Sequence, residues 1–311
     1  MTLQELKECH HKIKPYIHHS PILTSNLLNK LSNTNLYFKC ENFQKMGAFK
    51  IRGAAYAILQ LTDIQKSRGV VTHSSGNFAQ ALSLAAKSLG VKAYIVMPSN
   101  APQVKKDAVR DYGGKIIECL PTLEDRERTA SMIQSEKGAS FLHPSNDINV
   151  ILGQGTAALE LLEDRSDLEY IFTPVGGGGL IAGTALAAQV QNKDCKIIGG
   201  EPFEADDAYR SLISGKIEVN KTANTIADGL KTQLGNINFP IIKQYVSGII
   251  RVEEQEIVQA MKLIWERMKI IIEPSSAVAF AALLREKEKF QNKKIGIILS
   301  GGNVDLKNLP F

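Results

Sequence analysis

Lys50 stands in Glu41-Asn-Phe-Gln-Lys-Met-Gly-Ala-Phe-Lys50-Ile-Arg-Gly-Ala54, where a loop containing Gly47 gives way to a helix expected over 51–61. A lysine at a loop-to-helix junction can turn its amine into a cleft and serve as nucleophile or base. The chain holds 37 Lys plus Arg, so that placement needs support from elsewhere. Two turns supply it. Ser74-Ser75-Gly76-Asn77 ends a short strand (69–74) and opens a helix (78–89). Free backbone N–H groups and the helix dipole suit such a turn to a carboxylate, although Ser and Asn also serve an ordinary βα turn as N-caps. Gly176-Gly177-Gly178-Gly179 lies between a buried strand (170–175) and an apolar helix (180–190). Consecutive glycines there let the backbone close around an oxyanion, and phosphate is the natural ligand.

Other patterns admit more than one chemistry. Gly177-x-Gly179-x-x-Ala182 follows a strand and opens a helix, and the next strand (195–200) ends at Glu201. That arrangement fits a dinucleotide fingerprint, hence an NAD-dependent oxidoreductase. Glu201-Pro-Phe-Glu-Ala205-Asp-Asp207 offers two carboxylates and the Ala205 carbonyl to a hard cation such as Mg²⁺ or Ca²⁺; on spacing alone an acidic surface loop is the plainer reading. His10, His11, His18 and His19 read as surface or interface residues. Adjacent histidines on a helix point apart, and no carboxylate or Cys is spaced to join them.

The elements that must position these groups alternate. A capped amphipathic helix (2–17) leads to a strand (35–40). After the helix at 51–61 come strands at 69–74, 92–97, 115–119 and 140–143, separated by helices at 78–89, 101–112 and 123–137. A helix at 153–162, the strands and helix already named, and a helix at 253–268 follow. Residues 269–272 read as a strand or extended connection, 277–286 as a helix, and 294–299 as a buried strand delivering Ser300-Gly-Gly-Asn303 into a turn. Such alternation specifies an α/β fold with open, twisted, mostly parallel sheets flanked by helices.

Composition narrows the class. In 311 residues, 44% are hydrophobic and 22% charged, as in soluble globular chains. The net charge of +5 is spread out, with no basic block for nucleic acid. No apolar run reaches membrane-span length, and the charged N-terminus carries no secretory pattern. Cys9, Cys40, Cys119 and Cys195 are far apart, as for buried free thiols in a reducing compartment. A cytoplasmic location is expected.

Further segments then join the first ones in order: Gly47-Ala-Phe-Lys50-Ile-Arg-Gly-Ala54, His73-Ser-Ser-Gly-Asn77, Gly153-Gln-Gly-Thr156, Pro174-Val-Gly-Gly-Gly-Gly179, Thr225-Ile-Ala-Asp-Gly229, Trp265-Glu-Arg-Met268, Glu273-Pro and Ser300-Gly-Gly-Asn-Val-Asp305. Together they resemble the fold-type II pyridoxal-phosphate (PLP) enzymes of the tryptophan synthase β-subunit superfamily, in the branch of serine racemases and serine/threonine dehydratases. The NAD reading predicts none of the other segments. The resemblance implies a large PLP-binding domain (1–68 and 147–311), a small domain inserted in it (69–146), and the cofactor in the cleft between them.

The resemblance also implies roles. Lys50 would hold the cofactor as a Schiff base and then take the substrate Cα proton. Gly176, Gly177, Gly178, Gly179 and Leu180 would cradle its phosphate, Phe49 would pack against the ring, Asn77 would bond the ring oxygen, and Ser300 would face the ring nitrogen. Ser74, Ser75, Gly76 and Asn77 would take the substrate carboxylate. Ser75 would carry the second proton, opposite Lys50, which permits racemisation; related 3-hydroxyaspartate dehydratases carry Ser there as well. Glu201, Ala205 and Asp207 align with a divalent-cation site (Mg²⁺ or Ca²⁺, or Mn²⁺). Ala48 and Phe78 depart from the family's usual Ser and His, and Ser145 or Asn146 stands where an Asn contacts the cofactor. Asn26 and Met46 depart from the nucleotide effector site matched by Ser25, Lys45, Gln80 and Tyr112, which argues against ATP activation. No regulatory ACT-type domain is expected after Ser300-Gly-Gly. The implied function is racemisation and β-elimination of L-serine, with L-threonine a further substrate, in a homodimer. The alternatives are a threonine or 3-hydroxyaspartate dehydratase without racemisation, a non-catalytic PLP-binding protein, and the NAD oxidoreductase.

Overall fold

A computed structural model describes residues 1–311. Its strands are β1 (Ile22–Leu23), β2 (Asn35–Cys40), β3 (Val70–His73), β4 (Ala93–Pro98), β5 (Lys115–Cys119), β6 (Ser140–Phe141), β7 (Tyr170–Pro174), β8 (Lys196–Pro202), β9 (Val246–Val252) and β10 (Lys294–Leu299). They form a six-stranded sheet, ordered β1-β2-β10-β7-β8-β9, and a four-stranded sheet, ordered β5-β4-β3-β6. β1 is antiparallel to β2; the other pairings are parallel. This is the expected α/β class. β7 and β10 are nearly continuous apolar runs, as strands covered by helices on both faces must be.

The differences from expectation have local causes. The first helix stops at Ile13 and a 3-10 turn takes over at Lys14–Tyr16, because Pro15 has no N–H to continue the ladder. The helix expected from 153 begins at Ile148, since the Asp147 side chain caps it by accepting from the N–H groups of Asn149 and Val150. Residues 269–272 pair with no strand. Lys269 caps the preceding helix in the left-handed region (φ 60), and the chain then runs into Pro274 at the next helix start. Helices at Asn26–Ser32, Asp63–Arg68, Asp207–Ser214 and Asn238–Tyr245, and the edge strand β9, add to the expected elements. β9 is half-exposed with a register shift opposite Ile197/Ile198, so its period is broken.

The Ile148–Asp164 helix is the hub. A Cβ on Gly155 would lie 2.6 Å from Gly183 O, in the helix that follows the glycine loop. A Cβ on Gly153 would run into Arg52 O, in the helix that begins at Lys50. The Gly153-Gln-Gly155 motif thus lets one helix touch, backbone to backbone, the two helices whose N-termini frame the cleft.

Beside that contact lies a buried ion network. Arg52 donates from Nε to Glu41 (2.7 Å) and from Nη1 and Nη2 to Glu160 (2.7 and 2.8 Å). Lys39 Nζ adds a bond to Glu160 at 2.6 Å, and all four side chains are fully buried. Ser20 donates to Glu41. His10, read as a surface or interface residue, lies part-buried and sets Nε2 2.9 Å from Glu160. Two cations face two anions, so the network carries no net charge and every member is bonded, the condition for burying charge tolerably. Sequence reading misses it because its members are scattered from 10 to 160.

Candidate active site

The end of β10 positions Lys50. Phe49 N donates to Ser300 O (3.1 Å), Gly302 N to Gly47 O (2.9 Å), and Ala48 bridges Gly301. Lys50 therefore leaves a clamped loop as the first residue of its helix. Its Nζ donates to Pro144 O at 3.0 Å and lies 4.9 Å from the centre of the Phe49 ring. Burial lowers its pKa to about 8, against the pull of Glu273. A fraction of the amine is thus neutral near physiological pH.

Opposite is the glycine loop, at the carboxyl end of β7. Gly176 to Gly179 are buried, and none of their amides, nor those of Leu180 and Ile181, donates to a protein acceptor. Buried N–H groups rarely go unpaired, and these converge on one helix N-terminus, so they form an anion cradle. Gly178 needs its φ of 80°, and a Cβ there would strike Leu234 Cδ2 at 2.5 Å. Gln154 links cradle and lysine. Its Nε2 shares Pro144 O at 3.1 Å, while its Oε1 is buried without a partner and would lie 2.5 Å from a Cβ on Gly179.

Ser74, Ser75 and Gly76 form the turn after β3, with Gly76 N donating to Ser74 Oγ at 3.3 Å. A Cβ on Gly76 would meet nothing within 4 Å, so this turn borders open space. Asn77 opens the next helix. Its Nδ2 donates to both oxygens of Glu273 (2.8 and 3.1 Å), and its Oδ1 accepts from Asn303 Nδ2 at 2.9 Å. Burial, and then Asp228, push the Glu273 carboxyl up to about 7. Of the two residues after Pro144, Ser145 packs against Gly177 and Gly179. Asn146 is spent on Asn236, Ile237 and Asn238. His143, unremarked in the sequence, accepts from Ser145 N and Asn146 N at 3.2 and 2.8 Å. Burial, His73 and Lys50 drive its pKa down to about 4, so it stays a neutral acceptor.

The acidic segment that begins at the end of β8 is not a surface loop. Glu201 and Asp207 are fully buried, as is Ala205. Glu201 accepts from Ala208 N and Tyr209 N, and Asp207 from Asn220 Nδ2 and Leu234 N. Burial raises both carboxyls, Asp207 to about 6, and Asp207 pushes Glu201 higher still. No third His, Cys, Asp or Glu joins them.

A family model, "Pyridoxal-phosphate dependent enzyme", matches residues 13–301. The chain belongs to this family. As a PLP-dependent enzyme it is similar to the serine racemase of Dictyostelium discoideum, 51% identical over 99% of this chain and 97% of the relative. It is also similar to the beta-hydroxyaspartate dehydratase of Paracoccus denitrificans, 48% identical over 100% and 98%. The crystal structure of the Dictyostelium racemase superposes with a TM-score of 0.95 at 52% identity, covering 98% of this chain and 99% of that one. The cofactor is PLP, and the dinucleotide reading of the glycine loop is set aside. The site fits that group on its own terms: an unpaired amide cradle suits a phosphate, and an amine of depressed pKa suits an aldehyde. No helix is long and apolar enough to cross a membrane.

Uptake of the cofactor needs the neutral amine. The second-order rate of PLP binding by the apo-protein, followed by visible absorbance, is therefore expected to rise with pH and level off above about 8. A rate still climbing steeply at the pH of a free lysine would contradict the depressed pKa.

Proposed function

We propose that this enzyme acts on L-serine, interconverting it with D-serine and eliminating its hydroxyl to give pyruvate and ammonia, with L-threonine as a further substrate. The amide cradle at Gly176–Leu180, facing an amine of lowered pKa at Lys50, carries the reading. When bound, PLP supplies the electron-withdrawing ring that acidifies the substrate Cα–H. The chain supplies the rest. Gly176, Gly177, Gly178, Gly179 and Leu180 would hold the phosphate and Phe49 would lie against the ring. Ser300 would offer the ring nitrogen a neutral hydroxyl, which weakens the electron sink and favours prompt loss of the β-hydroxyl. Asn77, its amide fixed by Glu273 and Asn303, would bond the ring oxygen. The turn Ser74-Ser75-Gly76-Asn77 would receive the substrate carboxylate. Lys50, once free, removes the Cα proton on one face, and the Ser75 hydroxyl exchanges a proton on the other. Either group returning a proton decides the configuration at Cα.

Ser75 is where racemase and dehydratase part. In Ser75→Ala, D-serine formation is expected to fall by about 10²-fold or more, the least that a positioned proton donor contributes. Pyruvate formation should survive within a few-fold. Chiral chromatography alongside a keto-acid assay reads both, and equal loss of the two would sink the assignment. An enzyme that eliminates 3-hydroxyaspartate without making any D-amino acid would favour the dehydratase reading.

Glu201, the Ala205 carbonyl and Asp207 are proposed to hold a divalent cation, Mg²⁺ or Ca²⁺, or Mn²⁺. Two carboxyls raised by burial, with Asp207 pushing Glu201 higher still, gain from a cation between them. The effect would reach the cradle, because Asp207 holds Leu234 N and Leu234 packs at Gly178. Chelation by EDTA is expected to lower Tm by several degrees and loosen PLP, both restored by Mg²⁺; unchanged Tm and PLP affinity would remove the metal. By the same resemblance we take residues 69–146 as a small domain closing on the remainder (1–68 and 147–311), and the assembly as a homodimer without ATP activation. Four buried free cysteines accord with a reducing, cytoplasmic location.

A further inference from the structure

An ion pair spans the cleft. Lys105 lies in the Gln103–Asp111 helix, which follows β4. The carboxyl end of β4 stands beside that of β3, where Ser74 N donates to Val96 O at 3.2 Å. Lys105 thus belongs to the side that carries the Ser74–Asn77 turn. Asp228 comes from the other side. A Cβ on Gly176 would lie 2.9 Å from Gly229 O and 2.8 Å from Leu230 Cα, and Gly229 N donates to Ser275 Oγ at 2.9 Å. Across this gap Lys105 Nζ meets Asp228 Oδ2 at 2.6 Å. Both side chains keep solvent contact, 31% and 49%. The buried Glu273, which holds Asn77, lies in the field of both charges.

We propose that Asp228 selects the substrate side chain by masking the Lys105 ammonium at the cleft, so that the site takes a neutral β-hydroxyl and turns away a β-carboxylate. The inference rests on the reading of this cleft as a hydroxy-amino-acid site. An ammonium carries donors and no acceptor, so unmasked it would capture a second carboxylate. Masked by Asp228, it presents a neutral pair to which an uncharged side chain is indifferent. A β-carboxylate must either displace Asp228 or sit beside its charge. Solvent-exposed pairs contribute little to stability, so Asp228→Asn leaves the fold intact while uncovering Lys105.

The test compares the wild-type holoenzyme with Asp228→Asn, Lys105→Gln and the double variant. One arm is the ratio of kcat/KM for 3-hydroxyaspartate to that for L-serine. The other is the calorimetric Kd of succinate, with butyrate as the single-carboxylate control. Asp228→Asn is expected to raise the ratio and tighten succinate about tenfold or more, the size of one new charge-assisted hydrogen bond, while butyrate stays unchanged. Lys105→Gln should weaken succinate, and the double variant should lose the gain. No gain in Asp228→Asn, or a gain that survives in the double variant, would overturn the proposal and move any second-carboxylate contact elsewhere, such as to Arg126 near His73. If the wild type turns over no hydroxy amino acid, the proposed function fails, and the succinate arm still decides whether Asp228 masks Lys105.

Discussion

Lys50→Ala is expected to lower kcat/KM for L-serine by about 10⁴-fold or more, in both racemisation and elimination. Loss of a positioned base alone costs about 10²–10⁴, and the covalent anchor of the cofactor goes with it. The amide cradle and Asn77 remain, so PLP should still bind, more weakly and without the absorbance of a lysine-bound form. The apo-variant should not lose stability. Burial disfavours the Lys50 ammonium, and this penalty is full below pH about 8 and fades as pH rises toward the free-lysine value of 10.5. Removing the side chain removes the penalty, at the cost of one hydrogen bond to Pro144 O. Paired kinetics and thermal melts check this. A variant that unfolds would mean that Lys50 is structural; one retaining more than a percent of activity would mean that another base serves.

The largest stability effect is expected two residues on. Arg52→Met keeps the bulk and deletes the charge, leaving Glu41 and Glu160 buried with Lys39 as their one remaining buried cation. Breaking a buried pair from one side costs about 3–5 kcal/mol, enough to remove much of an ordinary domain's stability. Glu160 gives the sign of the pH dependence. Burial works against its charge, but His10, Arg52 and Lys39 hold its carboxyl well below the usual range. Its contribution is therefore present above the unfolded carboxylate pKa and is lost only as pH falls through the depressed folded value. In the variant the orphaned carboxyls take up protons at higher pH. The gap between wild type and Arg52→Met in urea unfolding should accordingly be wider at pH 8 than at pH 5; a gap that does not change with pH would mean that lost packing rather than buried charge is responsible.

These two residues also mark what sequence can and cannot carry. The alternating elements and the glycine run at 176–179 are legible because each is local: a buried strand, a glycine turn and an apolar helix lie within about twenty residues. The Arg52 network is not, since Glu41, Lys39, Glu160 and His10 meet only once the helices pack. Glu201 and Asp207 look like surface acids because spacing does not report burial; the fold gives each backbone N–H donors and buries both. Glu273 stands out as part of Glu273-Pro, yet its hold on Asn77 joins segments 196 residues apart that meet only in the fold. The edge strand β9 and the helix at Asn238–Tyr245, which supplies Asn238 to Gly177 O at 2.8 Å, have no clear period and escape a pattern reading. The choice between Ser145 and Asn146 likewise depends on which of them is already spent.

The central claim is that Lys50 carries the cofactor. Borohydride reduction of the PLP-loaded protein, followed by proteolysis and mass mapping, tests it most directly. The account predicts one phosphopyridoxyl modification, on the peptide containing Gly47-Ala-Phe-Lys50-Ile-Arg, with loss of the visible absorbance. Modification of a different lysine, or none while the absorbance persists, would contradict it.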